Sequence, residues 1–244
     1  MNLNSAQRTG NLMLDALPDE ERHALLAHMT RVDIPPKKLV MDIGEPVPTV
    51  YFPVNGMVSL VSRMEDGSSV ETATFGREGI VGLPEALHPH ATPSSQAIGQ
   101  VDAESLALDA ETFRGFLVNG GRLSSLVNAY LPALFNLIGQ NASCNRLHQS
   151  TQRLARWLLL TSDRCGSDQF DLTHEFMGQM LGARRSTVSE GAEELQRAGL
   201  IRYVRGRITI VDRPRLVEAA CECYALINDR FTELNETYQQ LTSV

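Results

Sequence analysis

DLTHEFMGQMLGARRSTVSEGAEELQRAGLIRYVRGRITIV, residues Asp171 to Val211, is the stretch on which the reading of this chain turns. Two short amphipathic helices fit it, one over about Thr173–Leu181 and one over about Arg185–Ala198, with a tight turn at Leu181-Gly182-Ala183. Thr173 suits an N-cap, and Glu175 places a negative charge in the first turn, where the helix dipole favours it. Phe176, Met177 and Met180 give the first helix its apolar face. Gly182 stands where the chain must reverse, because glycine tolerates positive φ. In the second helix Val188, Ala192 and Leu195 fall at i, i+4 and i+7, one buried stripe. The opposite face of its first turns carries Arg184, Arg185, Ser186, Thr187, Ser189 and Glu190. Gly199 closes the helix, and a hairpin follows: Leu200–Val204, a turn at Arg205-Gly206, and Arg207–Val211.

Two helices around a glycine turn and then a β-hairpin make the winged helix-turn-helix layout, whose second helix offers its N-terminal end to a major groove. Arg184, Arg185, Ser186, Thr187, Ser189 and Glu190 are therefore candidate DNA-contacting residues, with Thr173 beside them and Arg205 and Arg207 of the hairpin placed for phosphates. A plain helical hairpin with a solvated face fits the pattern too, but it has no need of four arginines at these places.

Charge distribution supports the nucleic-acid reading. The 244 residues carry a net charge of −7. Residues 1–145 hold nine Lys and Arg against sixteen acids, which accounts for the whole −7, and residues 146–244 hold thirteen of each sign and are neutral. Between 182 and 207 six arginines face three glutamates. The positive charge is local, as a positioned DNA-reading surface requires. No apolar run approaches the roughly 18 residues of a membrane span, and no signal-peptide pattern opens the chain. Cys144, Cys165, Cys221 and Cys223 are too scattered for a disulfide framework, so a reducing cytoplasm is expected.

The segment resembles the C-terminal domain of the Crp/Fnr superfamily of bacterial transcription regulators. The likeness rests on Leu172-Thr173, Gly178-Gln179, Leu181-Gly182, Arg185-Ser186-Thr187-Val188-Ser189, Leu195 and Gly199-Leu200-Ile201. It extends through CNRLHQSTQRLARWLLL (Cys144–Leu160) and, in the N-terminal half, through VYFPVNGMVSL and FGREGIVGLP, so it spans nearly the whole chain.

Upstream the patterning agrees. A helical N-terminal stretch from Asn11 to Met29, interrupted at Pro18, gives way to short alternating runs at 39–41, 50–52, 57–64, 70–75, 97–101 and 105–108, with Asp66-Gly67 as a hairpin turn. Many short strands with close turns predict a small barrel or jelly roll; the resemblance implies a cyclic-nucleotide-binding-like β-roll. A helix is expected over Leu108–Val118 and a long one over Arg122–Asn145, with Pro132 kinking or breaking it near Asn128. Its apolar band includes Leu123, Leu126, Tyr130, Leu134, Leu137 and Ile138. The band is wider than one subunit needs, and it is read as a homodimer seam, the use the superfamily makes of its equivalent helix. In the helix over Thr151–Arg164, Leu154, Trp157, Leu158 and Leu160 are core, while Arg153, Arg156 and Arg164 are expected outside. The expected organisation is α+β: a sensor domain over 1–120, a dimerisation helix over 121–147, the winged helix-turn-helix over 148–213 and a helical extension over 214–244.

In members of the superfamily that bind cyclic nucleotides, a glycine-glutamate pair and an arginine-serine pair hold ribose and phosphate. Here Gly82 stands at the glycine, Leu83 where the glutamate would be, and Ser94 or Ser95 where the arginine would be. Arginine pairs with a cyclic phosphate through charge-assisted bonds, and without it a buried phosphate is unpaired. The resemblance therefore implies an effector pocket at Gly82, Leu83, Ser94 and Ser95 that does not take cyclic AMP in the usual mode. No cofactor or metal is expected: no cysteine precedes Cys144 to build an N-terminal iron–sulfur centre, and Cys221 and Cys223, read as lying on one helix, would point their thiols to different faces. The expected partners are double-stranded DNA, a second copy of the chain, RNA polymerase and an unknown small-molecule or redox effector, with no membrane and no enzymatic activity. The competing reading is a sensor that acts by protein contact, its helix-turn-helix purely structural.

Overall fold

The computed structural model describes residues 8–88 and 90–242. The chain divides into two units, one made of residues up to 60, 74–135 and from 230 onward, the other of 61–73 and 136–229.

The first unit opens with α1 (Leu12–Asp15) and α2 (Asp19–Leu26), the expected N-terminal helix split at Pro18. The strands are β1 (Thr30–Ile34), β2 (Leu39–Met41), β3 (Thr49–Asn55), β4 (Val58–Arg63), β5 (Ser69–Phe75), β6 (Gln96–Gly99) and β7 (Ala103–Asp109), with α3 (Leu83–Ala86) between β5 and β6. They form one sheet of order β1-β7-β3 and another of order β2-β6-β4-β5, the β-roll expected from the alternating runs. β1 escaped the sequence reading; its partner β7 lies about seventy residues downstream, with Thr30 opposite Ala107 and Ile34 opposite Ala103. Inward positions carry the core: Ile34, Val50, Phe52, Leu106 and Leu108 are buried. Phe52 meets Phe113 of α4 (Ala110–Val118) edge to face, ring centres 6.1 Å apart. Asn11 is fully buried and satisfied, its amide donating to Pro53 O at 3.0 Å and Gly79 O at 3.1 Å.

The long helix α5 runs Arg122–Leu147. Its first turn is capped from a distance: the Glu21 carboxylate accepts from the backbone N–H of Arg122 and Leu123, both at 2.9 Å, which meets two of the orphan donors every helix start leaves. Pro132 lies inside α5, which runs on through it, so of the expected kink or break the break does not occur. The lost bond to Asn128 is one among many, and the apolar flank of the helix holds the backbone in register on either side. Most of the expected seam is covered within the single chain. Leu123, Leu126, Tyr130, Leu134 and Leu137 are at most 5% exposed within the single chain. Tyr130 closes against Gly79, where an added Cβ would come within 2.2 Å of the phenol oxygen. Nearby, Tyr238 of α10 (Cys223–Thr242) donates to Glu78 O at 3.0 Å. The broad band is wide because the chain packs on it itself. Ile138 is half-buried, and Phe135 is left 76% exposed.

The second unit holds the tip of the β4–β5 hairpin, the end of α5, α6 (Ser150–Cys165), β8 (Gln169–Asp171), α7 (His174–Leu181), α8 (Arg185–Arg197), β9 (Ile201–Val204), β10 (Arg207–Ile210), α9 (Arg213–Ala219) and the start of α10. α6 is its central rod. Trp157 is buried and donates from Nε1 to Glu71 Oε1 at 3.1 Å. Arg153, Arg156 and Arg164 are buried as well, where the sequence placed them outside. Each of the first two finds oxygen partners: Arg153 donates to Leu181 O and to Asn145 Oδ1, and Arg156 to Asn141 Oδ1 at 2.6 Å. α8 packs on α6 at Gly191, where a built Cβ would make ordinary contact, 3.4 Å from Thr151 Oγ1. No helix among the described residues is long and apolar enough to cross a membrane.

Candidate nucleic-acid interface

α7 and α8 form the helix-turn-helix as the sequence read it. Thr173 is the N-cap of α7, its hydroxyl oxygen accepting from Phe176 N at 3.2 Å, so this predicted contact residue already serves the helix start. The turn depends on two glycines. Gly182 adopts φ +57, and Ala183 N returns to Gly178 O at 2.9 Å. A Cβ on Gly178 would stand 2.9 Å from Ala183 O, so only glycine lets the turn fold back on α7.

α8 begins at Arg185, with Arg184 as its N-cap residue. Arg184, Arg185, Ser186 and Glu190 are exposed, and Thr187 and Ser189 are half-buried. Glu190 forms no ion pair with Arg184 or Arg185 among the described residues. Ser189 is engaged within the fold. Its hydroxyl donates to Arg185 O at 2.9 Å and lies 2.7 Å from His174 Nδ1, which leaves the ring nitrogen as the donor. The His174 ring stacks on Tyr203 with centres 4.3 Å apart. Burial and then the nearby Arg185 charge hold the His174 pKa below its ordinary 6.5. Sequence reasoning missed this His174–Ser189–Tyr203 brace, because Tyr203 reaches α7 only once the hairpin has folded.

The hairpin is three-stranded: β8 joins it in the order β8-β10-β9, a strand too short to stand out in the sequence. Its turn places Arg205 at φ +50 and Gly206 at φ +86, a two-residue reversal of the kind that matches strand twist. Arg205 is exposed at the tip. Arg207 is paired to Asp171 directly across the sheet, Nε to Oδ1 at 2.9 Å and Nη2 to Oδ2 at 3.3 Å. That contact pulls the Asp171 carboxyl below its usual range.

In the first unit, Gly82 takes φ +79 and precedes α3, and Val47 Cγ1 lies 3.0 Å from where its Cβ would be. Leu83 is fully buried, so the position read as the lost glutamate is part of the apolar core. Ser94 is exposed and Ser95 half-buried.

The premise behind the absence of a metal is overturned. Cys221 and Cys223 are not on one helix: α9 ends at Ala219 and α10 starts at Cys223. That break brings both thiols together with Cys144 of α5 and His148 just past its end, one ligand atom of each within 4.8 Å of the others. Hydrogen bonding from Cys221 holds the Cys144 thiol down, to about 5, and the same contact pushes Cys221 up. The sequence held one signal for this: Cys144 and His148 are spaced i, i+4.

Residues 31–119 match the family model of the cyclic nucleotide-binding domain, and residues 152–219 that of the Crp-like helix-turn-helix domain. The chain is 24% identical over 204 residues to the CRP-like cAMP-activated global transcriptional regulator of Mycobacterium tuberculosis, covering 81% of this chain and 91% of that one. Among solved structures it resembles a transcriptional regulator of the crp/fnr family from Eubacterium rectale (TM-score 0.67, 15% identity, 85% of this chain and 96% of that one). It also resembles the c-di-GMP responsive global regulator of Xanthomonas campestris (TM-score 0.65, 18% identity, 79% and 99%). With a β-roll sensor fold, a long helix and a winged helix-turn-helix in this order, the chain belongs to the Crp/Fnr superfamily of transcription regulators.

Proposed function

We propose that this regulator reads double-stranded DNA as a homodimer, each copy inserting the start of α8 into a major groove and setting the tip of its hairpin on the phosphates. The observation that carries this is the pair Arg184 and Arg185: both are exposed, and both stand at the helix end that reaches base edges. A helix-turn-helix retained only as scaffold has no use for them. Phosphate contacts then fall to Arg205 and Arg207, and base contacts to Arg185, Ser186 and Glu190. Ser189 and Thr173 act indirectly, by fixing α8 and α7. Glu190 is free to accept from a cytosine amino group. Dimerisation runs along the outer face of α5, through Phe135 with Leu131 and Ile138 beside it. As a transcription regulator it meets RNA polymerase at promoters, and its β-roll answers to a small-molecule or redox signal.

The M. tuberculosis relative is named for its activation by cyclic AMP. This chain departs from that mode at Leu83, which is buried carbon where an acid would meet ribose, and at Ser94 and Ser95, which offer no cation to a phosphate. Selection of bound sequences from a random DNA pool tests the first reading: a recovered palindrome with half-sites about one helical turn apart supports it, and recovery without any consensus overturns it. Calorimetry with cyclic AMP tests the second; no heat is expected, and micromolar binding refutes it.

A further inference from the structure

The four-residue cluster at the end of α5 has no part in the DNA-reading surface or the β-roll. Cys144 lies in the last turn of α5 and His148 just past its end, four residues on; Cys221 sits in the α9–α10 break and Cys223 opens α10. We propose that Cys144, His148, Cys221 and Cys223 form a closed tetrahedral site for a single zinc-type divalent cation.

Spacing is the first argument. Donors at zinc's usual bond lengths stand about 3.3–3.8 Å apart on a tetrahedron. Here Cys144 Sγ is 3.5 Å from Cys221 Sγ, Cys223 Sγ is 3.5 Å from His148 Nδ1, and all four atoms fall within 4.8 Å of one another. A disulfide between Cys144 and Cys221 would leave Cys223 and His148 converging on nothing. An iron–sulfur cluster needs its thiolates spread around several metal atoms. Three cysteines and one histidine is a donor set that zinc takes in structural sites.

The surroundings are the second argument. His148 turns Nδ1 toward the thiols, and its Nε2 lies 3.0 Å from Glu222 Oε1. A carboxylate behind a histidine fixes the tautomer that ligates, and is the regular companion of metal-bound imidazole. Gln140 Nε2 donates to Cys223 Sγ at 2.9 Å, a bond that stabilises a ligating thiolate. The three cysteines are at most 3% exposed, so no open position remains for water or substrate, and the site is structural rather than catalytic. It ties the end of α5 to the segment that follows the winged helix, across 77 residues of chain. Occupancy therefore adds directly to the folding free energy of the unit that contains the DNA-reading helix.

Metal analysis of the full chain, purified under reducing conditions with zinc present, should find one zinc per chain. Cobalt(II) added to the metal-free chain should give the strong visible bands of a tetrahedral thiolate complex, bleached by zinc. Cys223→Ser should abolish those bands. Glu222→Gln, on an exposed side chain that no fold contact needs, should keep them and weaken zinc affinity about 10–100-fold. His148→Ala, only partly buried, should shift the bands without unfolding the protein, as circular dichroism would verify. The proposal fails if the folded, reduced chain binds no stoichiometric zinc or cobalt and all its thiols react freely. It fails equally if the isolated protein carries iron and sulfide, or if it holds a Cys144–Cys221 disulfide that excludes zinc.

Discussion

Arg185 and Arg207 carry the same charge in different settings. Arg185 stands at the start of a helix with no ion-pair partner among the described residues, while Arg207 holds Asp171 with both its Nε and Nη2. Arginine at a helix start can pair with guanine O6 and N7. Arg185→Ala should therefore cost about 1–3 kcal/mol per half-site and relax selectivity at one base pair. Arg207→Ala should weaken all sequences alike and lower the salt slope by roughly one unit. The Asp171 pair adds a further expectation. An exposed pair contributes little to stability, but it competes with phosphate for the guanidinium. Asp171→Asn should thus tighten binding to every sequence and steepen the salt dependence, as read by titration over a range of ionic strength. If Asp171→Asn left both unchanged, Arg207 would not touch the backbone. Arg205 poses a different trade. A non-glycine residue at φ +50 is strained, and asparagine is the better fit to the first position of this turn. Arg205→Asn should raise the unfolding free energy by about 1 kcal/mol and still weaken DNA binding. The opposite pairing of results would make the arginine a structural residue.

Among elements, α7, α8 and the hairpin were legible because their signals are local. Gly182, Gly199 and Arg205-Gly206 mark reversals, and the apolar stripe of α8 lies within thirteen residues. β1 and β8 were missed because their partners are distant or their runs are too short to alternate. The burial of Arg153 and Arg156 was missed because what draws them in is a carbonyl at Leu181 and amides at Asn141 and Asn145, which no periodicity encodes. The cysteine cluster is hidden in the sequence because the helical pattern runs on through the break between Ala219 and Cys223. The His174 brace between α7, α8 and β9 also makes the element titratable. Its ring is held below its ordinary pKa of 6.5 by burial first and by the Arg185 charge second, with Glu193 opposing. A lowered folded-state pKa means the unfolded chain binds more protons in that window, so stability rises with pH there. The brace should contribute fully above pH 6.5 and lose its contribution as pH falls below it. Denaturant midpoints on either side of that pH should diverge in the wild type and converge in His174→Asn. Equal divergence in the variant would assign the dependence to other groups.

For the whole molecule, the decisive surface is the outer face of α5. A wide apolar band on a long helix has two explanations, a partner subunit or the chain's own flank, and sequence periodicity does not separate them. The structure assigns Leu123, Leu126, Tyr130, Leu134 and Leu137 to the chain's own core. Leu134→Ala should therefore cost about 2–5 kcal/mol of stability through lost burial and a cavity, while the surviving folded protein keeps its dimer mass. Phe135 behaves in the opposite sense. At 76% exposed it adds almost nothing to the fold of one copy, yet an exposed phenylalanine on a helix is the kind of aromatic anchor that interfaces bury. Phe135→Glu should leave the denaturant midpoint nearly unchanged and shift the light-scattering mass from dimer to monomer, because two carboxylates would meet at the seam without partners. DNA affinity should fall with it, since one α8 reads one half-site and the second contact is no longer tethered to the first. If Leu134→Ala dissociated the protein at full stability while Phe135→Glu remained dimeric, the seam would lie on the inner face of α5 and the packing there would have to open when two copies meet.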